Sequence, residues 1–400
     1  MTGFLHLLSE LQNPEKTRNF NVFKNYSLDD FEEQLTFFGL DKPNEKDYSP
    51  YRISVVGTNG KGSTSYYLAE LLRLSYPDEN IGLYTSPHLI SPLERIVVNG
   101  KSITLTDADL IIESLAIKNK TRLKTLSYFE FLTLVCLQYF KNKKCKFEIW
   151  EAGLGGRLDA TKLVNSDQLV LTKIGLDHRE ILGNTREDIA FEKINIAGKN
   201  TKSIYSFPES EPFRSYLTKL AESKNIKIQF FNSPQYGSYL ESNFQFAKWI
   251  LLDMGILKEK DAPTFQEIPP PKGRLEILNQ SPLVLFDPAH NPDAISHTLQ
   301  SLRIKAEWKH AVLLLGCLPD KDAASILQEV KSYSWERILF YEELGFYKWP
   351  MENKETSDLT IVTETELADV FRTLRTPLIA LGSFRLYPFL TTLFQKNVNL

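Results

Sequence analysis

The segment Ile53-Ser54-Val55-Val56 runs without a break into Gly57-Thr58-Asn59-Gly60-Lys61-Gly62-Ser63, and this junction constrains the fold more than any other feature of the chain. A short apolar strand that ends in glycines and is followed by a helical pattern (Leu68, Leu71 and Leu72 share one face) needs a parallel sheet to bury the strand. Glycines let backbone N–H groups approach an anion, the helix N-terminus adds favourable partial charge, and Lys61 adds a full one. The spacing departs from GxxxxGK[ST], because the first glycine is nearer the lysine and Gly62 precedes Ser63. A glycine turn alone would be structural; strand, loop, Lys, Ser and helix together point to phosphate binding.

The same alternation extends along the chain. Ile81–Tyr84, Phe147–Trp150 and Leu169–Ile174 read as buried strands, and a helix through Phe129, Leu132, Val135, Cys136 and Tyr139 ends at the lysines of 141–144. Pro269-Pro270-Pro271 interrupts the pattern, since consecutive prolines fit neither a helix nor a central strand. Beyond it the strands resume at Leu283–Phe286, Ala311–Leu315, Ile338–Tyr341, Leu359–Val362 and Leu378–Leu381. The expected architecture is two α/β domains of unequal size, a parallel-sheet domain over 1–270 and a smaller one over 271–400.

Charge narrows the partners. Lys+Arg 47 against Asp+Glu 50 gives a net charge of −3, which supplies no basic field for nucleic acid. The three cysteines (Cys136, Cys145, Cys317) show no CxxC spacing, so a thiolate metal site or disulfide scaffold is not expected and a reducing compartment fits. The first basic residue is Lys16, so no charged leader region precedes the apolar patch at Phe4–Leu8. The longest apolar stretch, Phe131–Phe140, is too short for a membrane helix. A soluble, cytoplasmic protein is expected.

Other candidate residues also sit at strand ends. Glu151 follows Phe147–Trp150 and precedes a glycine-rich loop, Gly153-Leu154-Gly155-Gly156. Alone it reads as a solvated glutamate; with room for a ligand behind it, it suits Mg²⁺ beside phosphates. Ser86 offers a hydroxyl, and His178, just past a strand, offers an imidazole; His88 reads equally as a ligand-side hydrogen bonder or a cap. Lys193, on a helix starting near Thr185 with Ile189, Ala190 and Ile194 inward, reads as a surface lysine paired with Glu192. Past the proline run, Asp287 suits a ribose and Arg274 a phosphate, and either also reads as a structural turn or an ion pair.

Several segments together resemble the folylpolyglutamate synthase and dihydrofolate synthase group of the Mur ligase superfamily. They are VVGTNGKGSTS at 55–65, YTSPHLISPLERIVVNG at 84–100, SYFEFLT at 127–133 and EAGLGGRLDAT at 151–161. LTKIGLDHREILGNTREDIAFEK at 171–193, GRLEI at 273–277, DPAHNPDA at 287–294 and LPDKD at 318–322 complete the set. The chain departs from the family at EKINIAGK after Lys193, at Pro288, and at Ser127 where threonine is common. The first 50 residues match only loosely.

The resemblance implies a P-loop-type parallel-sheet ATPase domain followed by a smaller Rossmann-like ligase domain, ATP and Mg²⁺ as cofactors, and a ligase that adds L-glutamate through an acyl phosphate to a folate, to dihydropteroate, or to both. It implies Asn59, Gly60, Lys61, Gly62 and Ser63 as the phosphate cradle, and Ser86, Glu151 and His178 as Mg²⁺ ligands. It implies a carbamylated Lys193, with Asn243, Arg274 and Asp287 as further ATP contacts. Ser127 and Leu158-Asp159-Ala160 fall on the pterin side. A monomer acting on small molecules, with no nucleic-acid or membrane partner, is expected. Two rivals stand beside this reading: another ligase of the superfamily, against which SPHL and LDA weigh, and a non-catalytic nucleotide-binding homologue, against which the joint retention of Ser86, Glu151, His178 and Lys193 weighs.

Overall fold

The computed structural model describes residues 3–13, 26–41, 48–232, 234, 236–303, 308, 310–343, 345–348 and 359–397. The chain divides into two units, residues 1–234 with 243–268, and residues 235–242 with 269–400. The sequence reading assigned 235–242 to the first domain. That segment groups with the second unit because Tyr239 fastens it there: its backbone N–H donates to Ser301 Oγ at 3.0 Å and its hydroxyl to Asp287 Oδ2.

The first unit is built on an eight-stranded sheet in the order β4-β3-β2-β5-β1-β6-β7-β8. Its strands are β1 (Tyr51–Val56), β2 (Ile81–Tyr84), β3 (Ile96–Val98), β4 (Lys101–Ser102), β5 (Phe147–Glu151), β6 (Gln168–Leu171), β7 (Ser203–Ser206) and β8 (Lys227–Phe230). From β2 to β8 every neighbouring pair is parallel. The central strands are buried along nearly their whole length, as strands covered on both faces must be. β3 and β4 are antiparallel additions at one edge. Asn99 (φ 50°) and Gly100 (φ 76°) make the two-residue turn between them, the pairing that right-handed strand twist favours.

One core cluster gathers around the helix Tyr128–Asn142, with Phe131, Leu134, Phe140 and Trp150 fully buried. A second lies under the helices Arg186–Ile194 and Phe213–Glu222. The second unit carries a six-stranded sheet in the order β13-β12-β11-β14-β10-β9. These are β9 (Glu276–Gln280), β10 (Leu283–Phe286), β11 (Val312–Leu315), β12 (Arg337–Tyr341), β13 (Leu359–Val362) and β14 (Leu378–Leu381). All pairs are parallel except β9 with β10.

β6 ends at Leu171, three residues short of the expected Ile174. The carbonyl of Lys173 is spent instead on the phosphate loop, accepting from Thr58 N (2.9 Å) and Asn59 N (3.3 Å). The strand stops where its neighbour's loop needs an acceptor. Five strands escaped the sequence reading altogether: β3, β4, β7, β8 and β9.

Candidate active site

The adjacent parallel strands β2, β5, β1 and β6 all release their chains at the same edge of the first sheet. Ser86, Glu151, the 57–63 loop and His178 therefore follow four neighbouring strand ends. Glu151 closes β5 with only 3% of its surface exposed, so it is not the solvated strand-end residue its position alone would allow. Its Oε2 accepts the backbone N–H of Ser86 at 3.0 Å, which sets that serine beside the carboxylate. His178 has left-handed backbone (φ 49°) at the start of the one-turn helix Arg179–Leu182, and its N–H donates to Asp177 Oδ1 at 2.9 Å.

The phosphate loop is pinned rather than loose. Thr58 Oγ1 donates to the Gly175 carbonyl at 2.9 Å, and the Lys61 amine donates to the Thr58 carbonyl at 3.3 Å. Gly60, left-handed at φ 88°, precedes the helix Lys61–Ser75. A side chain there would be strained, and its Cβ would lie 3.0 Å from Asn243 Oδ1. The first bond entering this helix runs from Thr64 N–H to the Gly60 carbonyl at 2.9 Å. The amides of Lys61, Gly62 and Ser63 thus have no carbonyl within the helix to reach, which is the arrangement that receives phosphate oxygens. Thr58 N and Asn59 N are committed to Lys173, so any part Asn59 takes falls to its side chain.

Lys193 overturns the surface reading given it above. It is 4% exposed, and its amine donates to the carbonyl of Gly57 at 2.8 Å. Glu192, its expected partner, instead pairs with Arg157 Nε at 2.9 Å. Desolvation first, and the nearby Lys61 cation second, pull the Lys193 pKa down to about 7. The glycine-rich loop reaches the same point. A Cβ on Gly156 would lie 2.7 Å from the Lys193 carbonyl, so only glycine allows the 153–159 loop to press against this helix end.

On the pterin side, the expected contacts do local structural work. Ser127 Oγ caps the helix Tyr128–Asn142, accepting from Glu130 N at 3.3 Å, while Glu130 Oε2 accepts Ser127 N at 2.7 Å. Asp159 is buried and holds its own loop together: Oδ2 accepts from Gly153 N and Leu154 N, both at 2.9 Å. Its Oδ1 accepts from Thr161 N (3.0 Å) and Thr161 Oγ1 (2.5 Å). Leu158 is half-buried and Ala160 buried. The two segments meet through Phe129, whose ring lies 2.8 Å from where a Gly153 Cβ would stand.

Three residues bonded to candidate residues or to their caps were missed from the sequence. Tyr26 donates to Glu130 Oε1 at 2.6 Å, from a stretch that matched the family too loosely to assign. The buried Arg95 donates through Nε to His88 Nδ1 at 3.0 Å and lies over the Tyr128 ring, so one nitrogen of His88 is engaged within the protein. Tyr239 is the third. In the second unit, Arg274 stacks on Phe384 with 4.7 Å between guanidinium carbon and ring centre, and Asp287 is buried just after β10.

A divalent cation fits the donor set at the first sheet's edge in one particular way. Among the described residues no three His, Cys, Asp or Glu side chains gather as a metal site. One carboxylate, one imidazole and one hydroxyl are too few for a protein-only cage, but they would suit Mg²⁺, an ion that keeps waters and phosphate oxygens in its shell. Among the described residues, too, no helix is long and apolar enough to cross a membrane.

Known proteins match this chain over most of its length. Residues 273–356 match the family described as Mur ligase, glutamate ligase domain. The dihydrofolate synthase/folylpolyglutamate synthase of Escherichia coli (strain K12) is 30% identical over 315 residues, 71% of each chain. The dihydrofolate synthetase of Saccharomyces cerevisiae is 40% identical over 148 residues, 36% of this chain and 34% of its own. Among solved structures, E. coli FolC in complex with DHPP and ADP superimposes with a TM-score of 0.83 at 25% identity, covering 99% of this chain and 98% of that one.

Proposed function

Because the chain belongs to the dihydrofolate synthase/folylpolyglutamate synthase family of Mur ligases, we propose that it joins L-glutamate to a folate, and to dihydropteroate, at the expense of ATP. The γ-phosphoryl group passes to the acceptor's carboxylate, giving an acyl phosphate and ADP. The glutamate amine then attacks the acyl carbon, phosphate leaves, and the nitrogen sheds a proton as the amide forms.

Each part of the site has a task in that sequence. The amides of Lys61, Gly62 and Ser63 hold phosphate oxygens, and the Lys61 amine exchanges the Thr58 carbonyl for a phosphoryl oxygen as negative charge develops there. Asn243, set against Gly60, borders the same loop. Ser86, Glu151 and His178 hold Mg²⁺, which when bound offsets the charge of the polyphosphate. Arg274 and Asp287 take the nucleotide in the second unit. The wall for the pterin is Ser127, Leu158 and Ala160, with Asp159 keeping the loop in shape.

The strongest support for this reading is Lys193. A buried ammonium beside Lys61 repels a metal, yet its lowered pKa leaves much of the amine neutral near pH 7. A neutral amine attacks CO₂, forms the N–C bond and loses a proton, leaving a carbamate whose negative charge suits both Lys61 and Mg²⁺. A cytoplasmic enzyme belongs to the same reading, which Cys136, Cys145 and Cys317, all buried free thiols, suit.

ADP release measured with glutamate and each pterin acid in turn tests the proposal. Turnover should require both substrates, and Glu151→Gln and His178→Ala should each abolish it while melting as cooperatively as the parent. ADP release indifferent to the pterin acid, or full turnover in either variant at subsaturating Mg²⁺, would refute it.

A further inference from the structure

Asp287 has no room for a nucleotide as it stands. A carboxylate offers about four lone-pair directions, and all are taken. Oδ1 accepts from Ala289 N at 3.0 Å and Thr298 Oγ1 at 3.2 Å; Oδ2 accepts from Leu275 N at 3.1 Å and from the Tyr239 hydroxyl. With 2% of its surface exposed, Asp287 cannot turn outward to find another partner without abandoning these bonds.

The four donors differ in how readily they leave. Two are main-chain amides, held by the turns that follow β10 and precede β9. Thr298 is buried on the helix Pro292–Arg303, which fixes its hydroxyl from behind. Tyr239 alone is a long, half-buried side chain, and its hydroxyl swings away by rotation of the ring about the Cα–Cβ bond. Its backbone stays anchored meanwhile through the N–H bond to Ser301.

From this inventory we infer that Tyr239 is an internal competitor for the nucleotide: its hydroxyl occupies Asp287 Oδ2 until a ribose hydroxyl displaces it. This rests on the reading of Asp287 as a nucleotide contact. Tyr239 is therefore a positioning residue, holding the buried carboxylate satisfied in the empty protein and surrendering it on binding. Every ADP that binds must break this bond, so the competitor lowers affinity for nucleotides bearing ribose hydroxyls and leaves a ribose without them unaffected.

Calorimetric titration of the full chain with ADP and with 2′,3′-dideoxy-ADP tests the inference. In Tyr239→Phe the ring stays and the competing hydroxyl goes. ADP affinity should rise about tenfold, equivalent to about 1.4 kcal/mol, while dideoxy-ADP affinity stays put, so that the ratio between the two nucleotides widens. Unchanged or weaker ADP binding in that variant, with melting like the parent's, overturns the inference, as does an equal gain for both nucleotides. Asp287→Asn separates the two levels. If ADP affinity is unaltered there, the reading of Asp287 falls and the inference with it; if it drops while Tyr239→Phe shows no gain, only the inference falls.

Discussion

Replacing Lys193 by methionine removes a buried amine while preserving the length of the side chain, and the stability gained should depend on pH. In the unfolded chain the amine titrates near 10.4; folding brings it down to about 7, chiefly through burial and then through Lys61. Between those values the unfolded state keeps a proton that the folded state has released. Stability of the wild type therefore rises with pH from about 7 to about 10.5, and the cost is present in full below pH 7. At about 1.4 kcal/mol per pH unit, that cost is on the order of 5 kcal/mol. Methionine forfeits the hydrogen bond to the Gly57 carbonyl, worth about 1 kcal/mol net, so the variant should exceed the wild type by about 4 kcal/mol at pH 6. The advantage should shrink by about 1.4 kcal/mol per unit above pH 7 and vanish between about pH 9 and 10. Denaturant unfolding of both proteins in CO₂-free buffer from pH 6 to 10 measures it. A difference that stays flat across that range would refute the reasoning. The same amine, about nine-tenths neutral at pH 8 against less than about 1% for an ordinary lysine, should give a carbamate carbon signal with ¹³C-bicarbonate that the methionine variant lacks.

Two further outcomes follow from the site. Gly60→Ala, placed in left-handed backbone with its Cβ 3.0 Å from Asn243 Oδ1, should cost about 1–2 kcal/mol and weaken ADP binding; unchanged melting and affinity would dismiss the strain. Asp159→Ala leaves three amides and a hydroxyl without their acceptor and should destabilise the ligand-free protein by about 2–4 kcal/mol. Intact melting combined with a raised KM for the pterin acid would make Asp159 a substrate contact instead.

How far the sequence carried the reading depends on how local each cause is. The 57–63 loop was legible because the glycines, the lysine and the flanking strand are consecutive, and the need for close backbone approach is written in residue type. Glu151 was legible as a strand-end acid, but not its burial, which depends on Ser86 arriving from another strand. Lys193 was misread bottom-up for the same reason. Its surroundings come from Gly57, Lys61 and the 153–159 loop, and nothing in the helix itself says that its inward face includes a cation. β7 and β8 are four residues each and mixed in polarity, too short for alternation to stand out. Other signals were present and passed over. Asn99-Gly100 is a strong hairpin turn, and Ser127-x-x-Glu130 is a capping box readable without any structure. That pattern shows why the Ser127 hydroxyl points at its own helix. Tyr239 was not legible at all, since its partner lies 48 residues further on.

The excursion of 235–242 has a bearing on modularity. The family segment matched here begins at Gly273, and a gene fragment cut there, or at the prolines before it, looks like a natural cassette for transplantation into another ligase. Such a cassette leaves behind Tyr239, and with it a donor to the buried Asp287 and the strap onto Ser301. The polypeptide passes between the two units at 234/235, at 242/243 and at 268/269, so no single incision separates them cleanly. Inheritance of the second unit as a working part therefore requires a contribution from upstream, and recombination within this family should be tolerated only where the incoming first unit supplies an equivalent of that eight-residue loan.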